Sequence, residues 1–441
     1  MPKSTVAPVI ALAIFLLLAC RLSLLNPVTA RPAAVELSAA AQDEIDNTAA
    51  SPTRTRPARP TAVTPTETSI PSATPTQTPR PTPTATATPT IPPVRAVRVS
   101  FPNMSGSRGE VAHLQDHLVK SGINYTGLAA GRPDWTFFKW ADHPERWSSA
   151  VTRTGIDFLA EDSRNFDYGH VDAVVDVFAP NFIAAHPDAA AVSYWGERSD
   201  LLVSTAALTA GPFHDLLLEM IEYIAANYER VDSISITELS YHDFGYGPDD
   251  LALYRAFSGA EDWPRQPDGQ IDPDHPSVGE WRSAAVAGFL AEAAARIHPY
   301  GKQLVMDVEV SWGNLENEGR EYGHYYPAML GAADKILLWA YTDLAGYPAG
   351  YPGEIAAYLA ARYDSSRIII SPGLWARDGG AISAEDLGTA VSSAIAGGIP
   401  HIWITPSHMM AEAHWRATTA AWLAAEADSI RSTTHSRHGK R

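Results

Sequence analysis

The chain has 441 residues, 45% of them hydrophobic, and a formal net charge of -17. That is enough apolar material for one large core or two medium ones, and too much negative charge for an extended footprint on nucleic acid or anionic lipid; a neutral or cationic partner fits better. The single cysteine, Cys20, excludes disulfides within the chain and any zinc site built from cysteines.

At the N-terminus, Lys3 precedes an apolar run from Val6 to Ala19 that is too short to span a bilayer comfortably, the layout of an export signal. Leu17-Leu18-Ala19-Cys20 resembles the lipobox of bacterial lipoproteins, which makes residues 1–20 the signal and Cys20 a lipid anchor to a membrane. Cleavage after Val28-Thr29-Ala30, or an uncleaved anchor reaching Val28, are the alternatives; all three place the remainder outside the cytoplasm. Residues 21–94 read as a disordered linker. From Ser51 to Val94 they hold 12 prolines and 14 threonines, a composition that cannot bury a core and that extends about 3 Å per residue. The last residues, RSTTHSRHGKR (431–441), read as a short, basic, disordered tail.

Between 95 and 430 the composition is globular, and strand-like runs alternate with helical ones. The predicted strands are Ala96 to Phe101, Ile123 to Leu128, Ile156 to Ala160, Val231 to Thr237, Gln303 to Val310, Lys335 to Tyr341, Arg367 to Ser371 and His401 to Thr405. Helical periodicity is clearest in EVAHLQDHLVKSG, FHDLLLEMIEYIAANY and WRSAAVAGFLAEAAARIHPYG. In the last, Val286, Phe289, Leu290, Ala293 and Ile297 form one stripe and Pro299 with Gly301 supplies the stop. Eight strands alternating with helices predict a (β/α)8 TIM barrel. A doubly wound open sheet is the rival, but no Gly-rich phosphate loop follows the first strand.

Side-chain alternation then sorts the candidates, because a barrel carries its chemistry at the C-terminal ends of its strands. In VDSISITELSYHDFGYG, Ile234 and Ile236 point out under the helices and Ser233, Ser235 and Thr237 point in. Glu238 arrives at the lip, where strict alternation would turn it outward, and Tyr241, His242 and Asp243 follow. In QLVMDVEVSW, Leu304, Met306, Val308 and Val310 share one face, while Asp307, Glu309, Ser311 and, at the strand end, Trp312 fall on or beyond the other. In KILLWAYTD, Trp339, Tyr341 and Asp343 face in. Trp375 and Arg377 follow the seventh strand, and Trp403 lies inward on the eighth.

Carboxylates turned into a barrel are costly unless paired, hydrated or used. Aromatic rings around the same mouth suit the C–H faces of sugars, whose hydroxyls bond to carboxylates and Arg. The long connection from Asp243 to Pro276 carries Phe244, Tyr246, Tyr254, Phe257 and Trp263 and suggests a lid or binding loop. Its Asp268, Asp272 and Asp274 lack the EF-hand spacing and read as a solvated acidic turn. No HExxH, GxSxG or Walker motif occurs, and His170, His186, His242 and His408 show no metal-ligand spacing, so neither a metal nor a cofactor is expected.

VDSISITELSYHDFGYG, the pair Trp281-Arg282 and ADKILLWAYTD together resemble the bacterial glycosyl-hydrolase-like TIM barrels labelled family-10-like, found in exported and lipid-anchored proteins. The resemblance covers roughly Ala96 to Ala425. Thr237-Glu238 also resembles the Asn-Glu pair that ends strand four in the large retaining-glycosidase clan, where the Glu is the acid/base. That likeness implies Glu238 as general acid. The clan's nucleophile stands at the end of strand seven, where RIIISPGLWARD has no acid before Asp378. The second carboxylate is therefore expected from Glu309, Asp307 or Asp343. Tyr241, His242, Asp243, Trp312, Trp339, Tyr341, Trp375, Arg377 and Trp403 are the expected substrate contacts in a monomeric enzyme acting on carbohydrate. A non-catalytic carbohydrate-binding barrel, and a sugar esterase or deacetylase, are the competing readings.

Overall fold

The structure is a computed structural model that describes residues 92–100 and 108–438. The expected signal with Cys20, and the linker as far as residue 91, lie outside the described residues. Eight parallel strands close into a barrel: β1 (Arg95–Val99), β2 (Tyr125–Arg132), β3 (Val171–Asp176), β4 (Ser233–Thr237), β5 (Gln303–Glu309), β6 (Lys335–Trp339), β7 (Ile368–Ser371) and β8 (Ile402–Ile404). The ring closes because β1 pairs in parallel with both β2 and β8, Ala96 standing between Tyr125 and Trp403 in register.

A helix returns the chain after each strand: α1 (Arg108–Lys120), α2 (Phe158–Asn165), α3 (Pro212–Asn227), α4 (Pro276–Ile297), α5 (Tyr326–Ala332), α6 (Pro352–Ala360), α7 (Ala384–Ala396) and α8 (Glu412–His438). The predicted stripe of α4, Val286 through Ile297, is buried as read, and Gly301 stops the turn that follows at φ 73°. The outward rows of the strands, such as Ile234, Ile236, Met306 and Val308, join these helices in the main core. Each such side chain contributes about 1.5–3 kcal/mol of burial.

Two expectations fail. Ile156 to Ala160 is not the third strand: Asp157 accepts from the backbone N–H of Ala160 and starts α2 instead. The third strand is VDAVVD, a continuous apolar run broken only by two aspartates, as suits a strand buried on both faces. The basic end of the chain does not begin a tail at 431, since α8 carries it on to His438. Among the described residues, no helix is long and apolar enough to cross a membrane.

Inside the ring, Ala96, Tyr125, Val174, Val305, Leu337, Trp339, Ile369 and Trp403 pack against one another. Gly127 makes room for this layer. A Cβ there would stand 2.2 Å from Cζ2 of Trp403, so the indole occupies the space that any larger residue on β2 would need. Gly127→Ala is expected to displace Trp403 and cost about 1–3 kcal/mol, read as a lower urea midpoint. Adding Trp403→Leu should return part of the loss, which a change in backbone propensity alone would not allow.

Candidate active site

Glu238 follows the last residue of β4 and has φ 63°. Left-handed backbone is uncommon for a residue with a long side chain and costs on the order of 1–3 kcal/mol where it persists. Its effect here is to undo the alternation that would have pointed Glu238 under the helices. The carboxyl lies instead in the field of Asp176, Glu309 and Asp307 from the two adjacent strands and of Arg98 from β1 across the ring. Asp176 is in register with Thr237, one residue before Glu238.

The acids differ in their surroundings. Glu238 is partly exposed at the lip yet enclosed around its carboxyl; burial, reinforced by Asp176, pushes it up to about 8. Glu309, 9% exposed, is pushed up to about 8 by burial, with the charge of Glu321 adding to it. Asp307, 6% exposed, rises by burial to about 6, held back by Arg98. Asp176 also rises by burial to about 6, opposed first by Arg132 and also by Arg98. The result is a mouth in which some carboxyls keep their protons at neutral pH and others ionise.

Among the inward residues, Arg98, Asp307, Trp339, Tyr341, Trp403 and Thr405, with others, line a narrow crevice that leaves no room for a water molecule as the side chains stand. Asp307 accepts from Nε1 of Trp339 at 3.2 Å through Oδ2, and the hydroxyl of Thr237 on the adjacent strand also lies against its carboxyl. The hydroxyls of Ser371 and Thr405, both buried and both lining the crevice, are unpartnered. Buried polar atoms are rarely left so, and these two converge on one crevice at the C-terminal end of the barrel. Tyr341 stacks near Trp339 at 5.8 Å and meets Trp375 at 5.1 Å. Its ring reaches this position because residue 373 is glycine, where a Cβ would fall 2.3 Å from it.

His324 ties the two acid-bearing strand ends together. Its Nε2–H donates to the carbonyl of Leu239 at 2.5 Å, and its Nδ1 accepts from the backbone N–H of Glu309 at 3.0 Å. That pair of bonds requires the neutral imidazole in one tautomer, and burial drives its pKa down to about 4. Buried Arg282 performs the same office for the following loop, donating to the carbonyls of His242 and Phe244.

The remaining expected contacts divide. Trp339, Tyr341 and Trp403 line the crevice; Trp312 lies on the rim in an aromatic group with Tyr347 and Tyr351, 5.0 and 5.9 Å away. Tyr241 is fully buried in the main core. His242 packs on Tyr322 at 5.0 Å, and its Nε2 is 3.8 Å from Asp243. Asp343 sits in a one-turn helix, Thr342–Ala345, and accepts the backbone N–H of exposed Arg377. The long connection is no bare loop: Tyr246, Tyr254 and Trp263 close with Trp281 into a small core of their own. Asp268 and Asp272 each cap a local backbone N–H in that connection, as the acidic-turn reading expects. Among the described residues, no group of three or more His, Cys, Asp and Glu could hold a metal ion.

Sequence reading missed Arg98 and Asp176. Alternation along RAVRV would have turned Arg98 inward with Ala96, whereas Asp176 was lost with the third strand.

The titrations make a prediction. Folding raises Glu309 to about 8, Asp172, buried lower in the barrel, to about 7 and Asp307 to about 6, so the folded state holds protons that the unfolded chain releases near pH 4. These acids lower stability as pH rises through that range. His324 and His401, lowered to about 4, act oppositely, but only below about 6.5, where the unfolded chain gains protons that they refuse. Between pH 6.5 and 8 the acids act unopposed, and the urea midpoint is expected to fall steadily; a flat or rising midpoint would contradict the burial of these carboxyls.

No family model and no curated protein matches the chain. Among solved structures, the PgaB (BpsB) glycoside hydrolase domain from Bordetella bronchiseptica superposes with a TM-score of 0.53 at 17% identity, over 76% of this chain and 98% of that one. A β-galactosidase from the psychrophilic Marinomonas ef1 gives 0.53 at 13%, over 77% and 60%, and the catalytic domain of a β-amylase from Paenibacillus polymyxa gives 0.51 at 11%, over 73% and 94%. The likeness is one of fold alone, and it agrees with the closed barrel described above.

Proposed function

We propose that the protein is a glycoside hydrolase acting on a polysaccharide or oligosaccharide, with Glu238 as general acid. The observation that carries this reading is the environment of Glu238: a strained strand end aims it into a mouth where burial and Asp176 keep it protonated near neutrality. Such a carboxylic acid can protonate the glycosidic oxygen as the bond from the anomeric carbon breaks. The second carboxylate must be ionised. Asp307 suits this better than Glu309 or the rim residue Asp343, because Arg98, Thr237 and Trp339 all favour its ionised form. It either bonds to the anomeric carbon or takes a proton from the water that does. Unpartnered Ser371 and Thr405 are placed for sugar hydroxyls, and Trp339, Tyr341 and Trp403 for a ring face.

A barrel that binds carbohydrate without cleaving it is the second reading, favoured by β7 ending at Ser371 with no acid. One experiment separates them. Soluble glucose, N-acetylglucosamine and glucosamine polymers are screened for release of reducing ends, and Glu238→Gln and Asp307→Asn are compared with the parent. Hydrolysis should fall about 10²–10⁴-fold in Glu238→Gln while sugar binding persists. Unchanged turnover would remove Glu238 from the mechanism, and binding with no turnover in the parent would favour the second reading.

We also propose that the barrel works outside the cytoplasm, tethered through a lipid on Cys20, on the strength of the Leu17-Leu18-Ala19-Cys20 run. Cys20→Ala should move the protein from the membrane fraction to the soluble one and abolish incorporation of labelled fatty acid.

A further inference from the structure

We propose that Trp195 is a sugar-stacking platform beside the barrel mouth, so that the substrate is a polymer held on both sides of Glu238 and cut internally. This rests on the hydrolase reading and extends it to the form of the substrate.

The connection from β3 to α3 contains a two-stranded hairpin, Ala190–Val192 with Arg198–Val203. Trp195 stands in its turn and is 49% exposed; the other eleven tryptophans are buried or partly buried. A single exposed side chain is ordinary on a protein surface; what singles out this indole is that its hairpin is bonded to the segment following Glu238. Its neighbours hold it edge-on, Tyr194 at 4.7 Å and perpendicular, Phe244 at 6.3 Å.

The hairpin is fastened to the segment that follows the acid. Tyr194 donates its N–H to the carbonyl of Asp243, Tyr246 donates to Val192, and Ser193 forms an antiparallel bridge with Phe244. Asp243 is five residues beyond Glu238, so the attachment lies within roughly 18 Å of the acid along even a fully extended chain. A few sugar units span that distance.

On the other side of Glu238 in the ring, Trp312 lies three residues beyond Glu309, within roughly 10 Å of it by the same reckoning. Its neighbours Tyr347 and Tyr351 come from the connection after β6. Platforms on the β3 side and on the β5–β6 side thus flank an acid on β4. The inward hydroxyls of Ser371 and Thr405, at the ends of β7 and β8, face the same mouth from the opposite arc of the ring.

The test uses the full chain carrying Glu238→Gln, with and without Trp195→Ala, and β-linked glucose, N-acetylglucosamine and glucosamine oligomers of two to eight units. Affinity is expected to rise with length in the Glu238→Gln protein, with a shift in tryptophan emission. Trp195→Ala should remove the gain at the long end, about 5- to 20-fold for the longest oligomer, and Trp195→Tyr should restore most of it. The enzyme with Glu238 intact should release mid-length products from polymer, and Trp195→Ala should shift that distribution. If oligomers bind and are cleaved but Trp195→Ala changes neither, the platform is wrong and the hydrolase reading stands. A Trp195-dependent dimer in sedimentation would give the indole another partner and overturn the platform. If no oligomer is bound or cleaved, both readings fall together.

Discussion

Closing eight parallel strands into a ring sends every second side chain into a space with little water, and this constraint shapes the whole molecule. The outward row can be plain Ile, Val, Leu and Met because the helices cover it. The inward row cannot be satisfied so simply. Its lower layers hold Tyr125, Ser233, Asp172 and His170 in one hydrogen-bonded group, with Ser233 shared between Asp172, Tyr125 and His170. Its middle is filled by indole and aliphatic groups. Near the C-terminal ends carboxylates gather around Arg98 in greater number than one cation can match, and there the dehydration that would otherwise be a liability becomes control of protonation.

Much of this was legible in the sequence because the rule behind it is simple. A period of two, applied to SISIT and QLVMDVE, assigns every residue on β4 and β5 to the face it occupies. The same rule fails at Glu238 for a definite physical reason: alternation assumes extended backbone, and one residue in the left-handed region reverses the direction of the side chain. Nothing in the letters T-E-L announces that. The third strand was lost differently. IDFLA and VDAVVD are both short apolar runs containing an aspartate, and only the capping bond of Asp157 decides that the first begins a helix. With that strand went Asp176, although its neighbours were correctly placed.

The aromatic residues teach a second lesson. By composition, the segment after Glu238 is the richest in rings and the obvious place for a carbohydrate surface. In the fold those rings largely turn toward one another, with Arg282 stacked 4.5 Å over Tyr246, and serve to stiffen the connection. The exposed indole stands in the separate hairpin before α3. A residue's type says that it can meet a sugar; its exposure says whether it is free to.

That hairpin has a wider significance. Its turn is bonded to residues 243–246 while Ala190, Ala191, Leu202 and Val203 root its base in the main core, and it contributes nothing to the strand pairing that closes the ring. Its exposed turn could be redecorated with little penalty in folding, whereas its buried base, like Arg98, Asp307 and Glu238, stays under the geometry of the barrel. Divergence among relatives should therefore concentrate in the hairpin's turn first, and a family sharing one chemistry could spread across many polymers by editing a segment of a few residues.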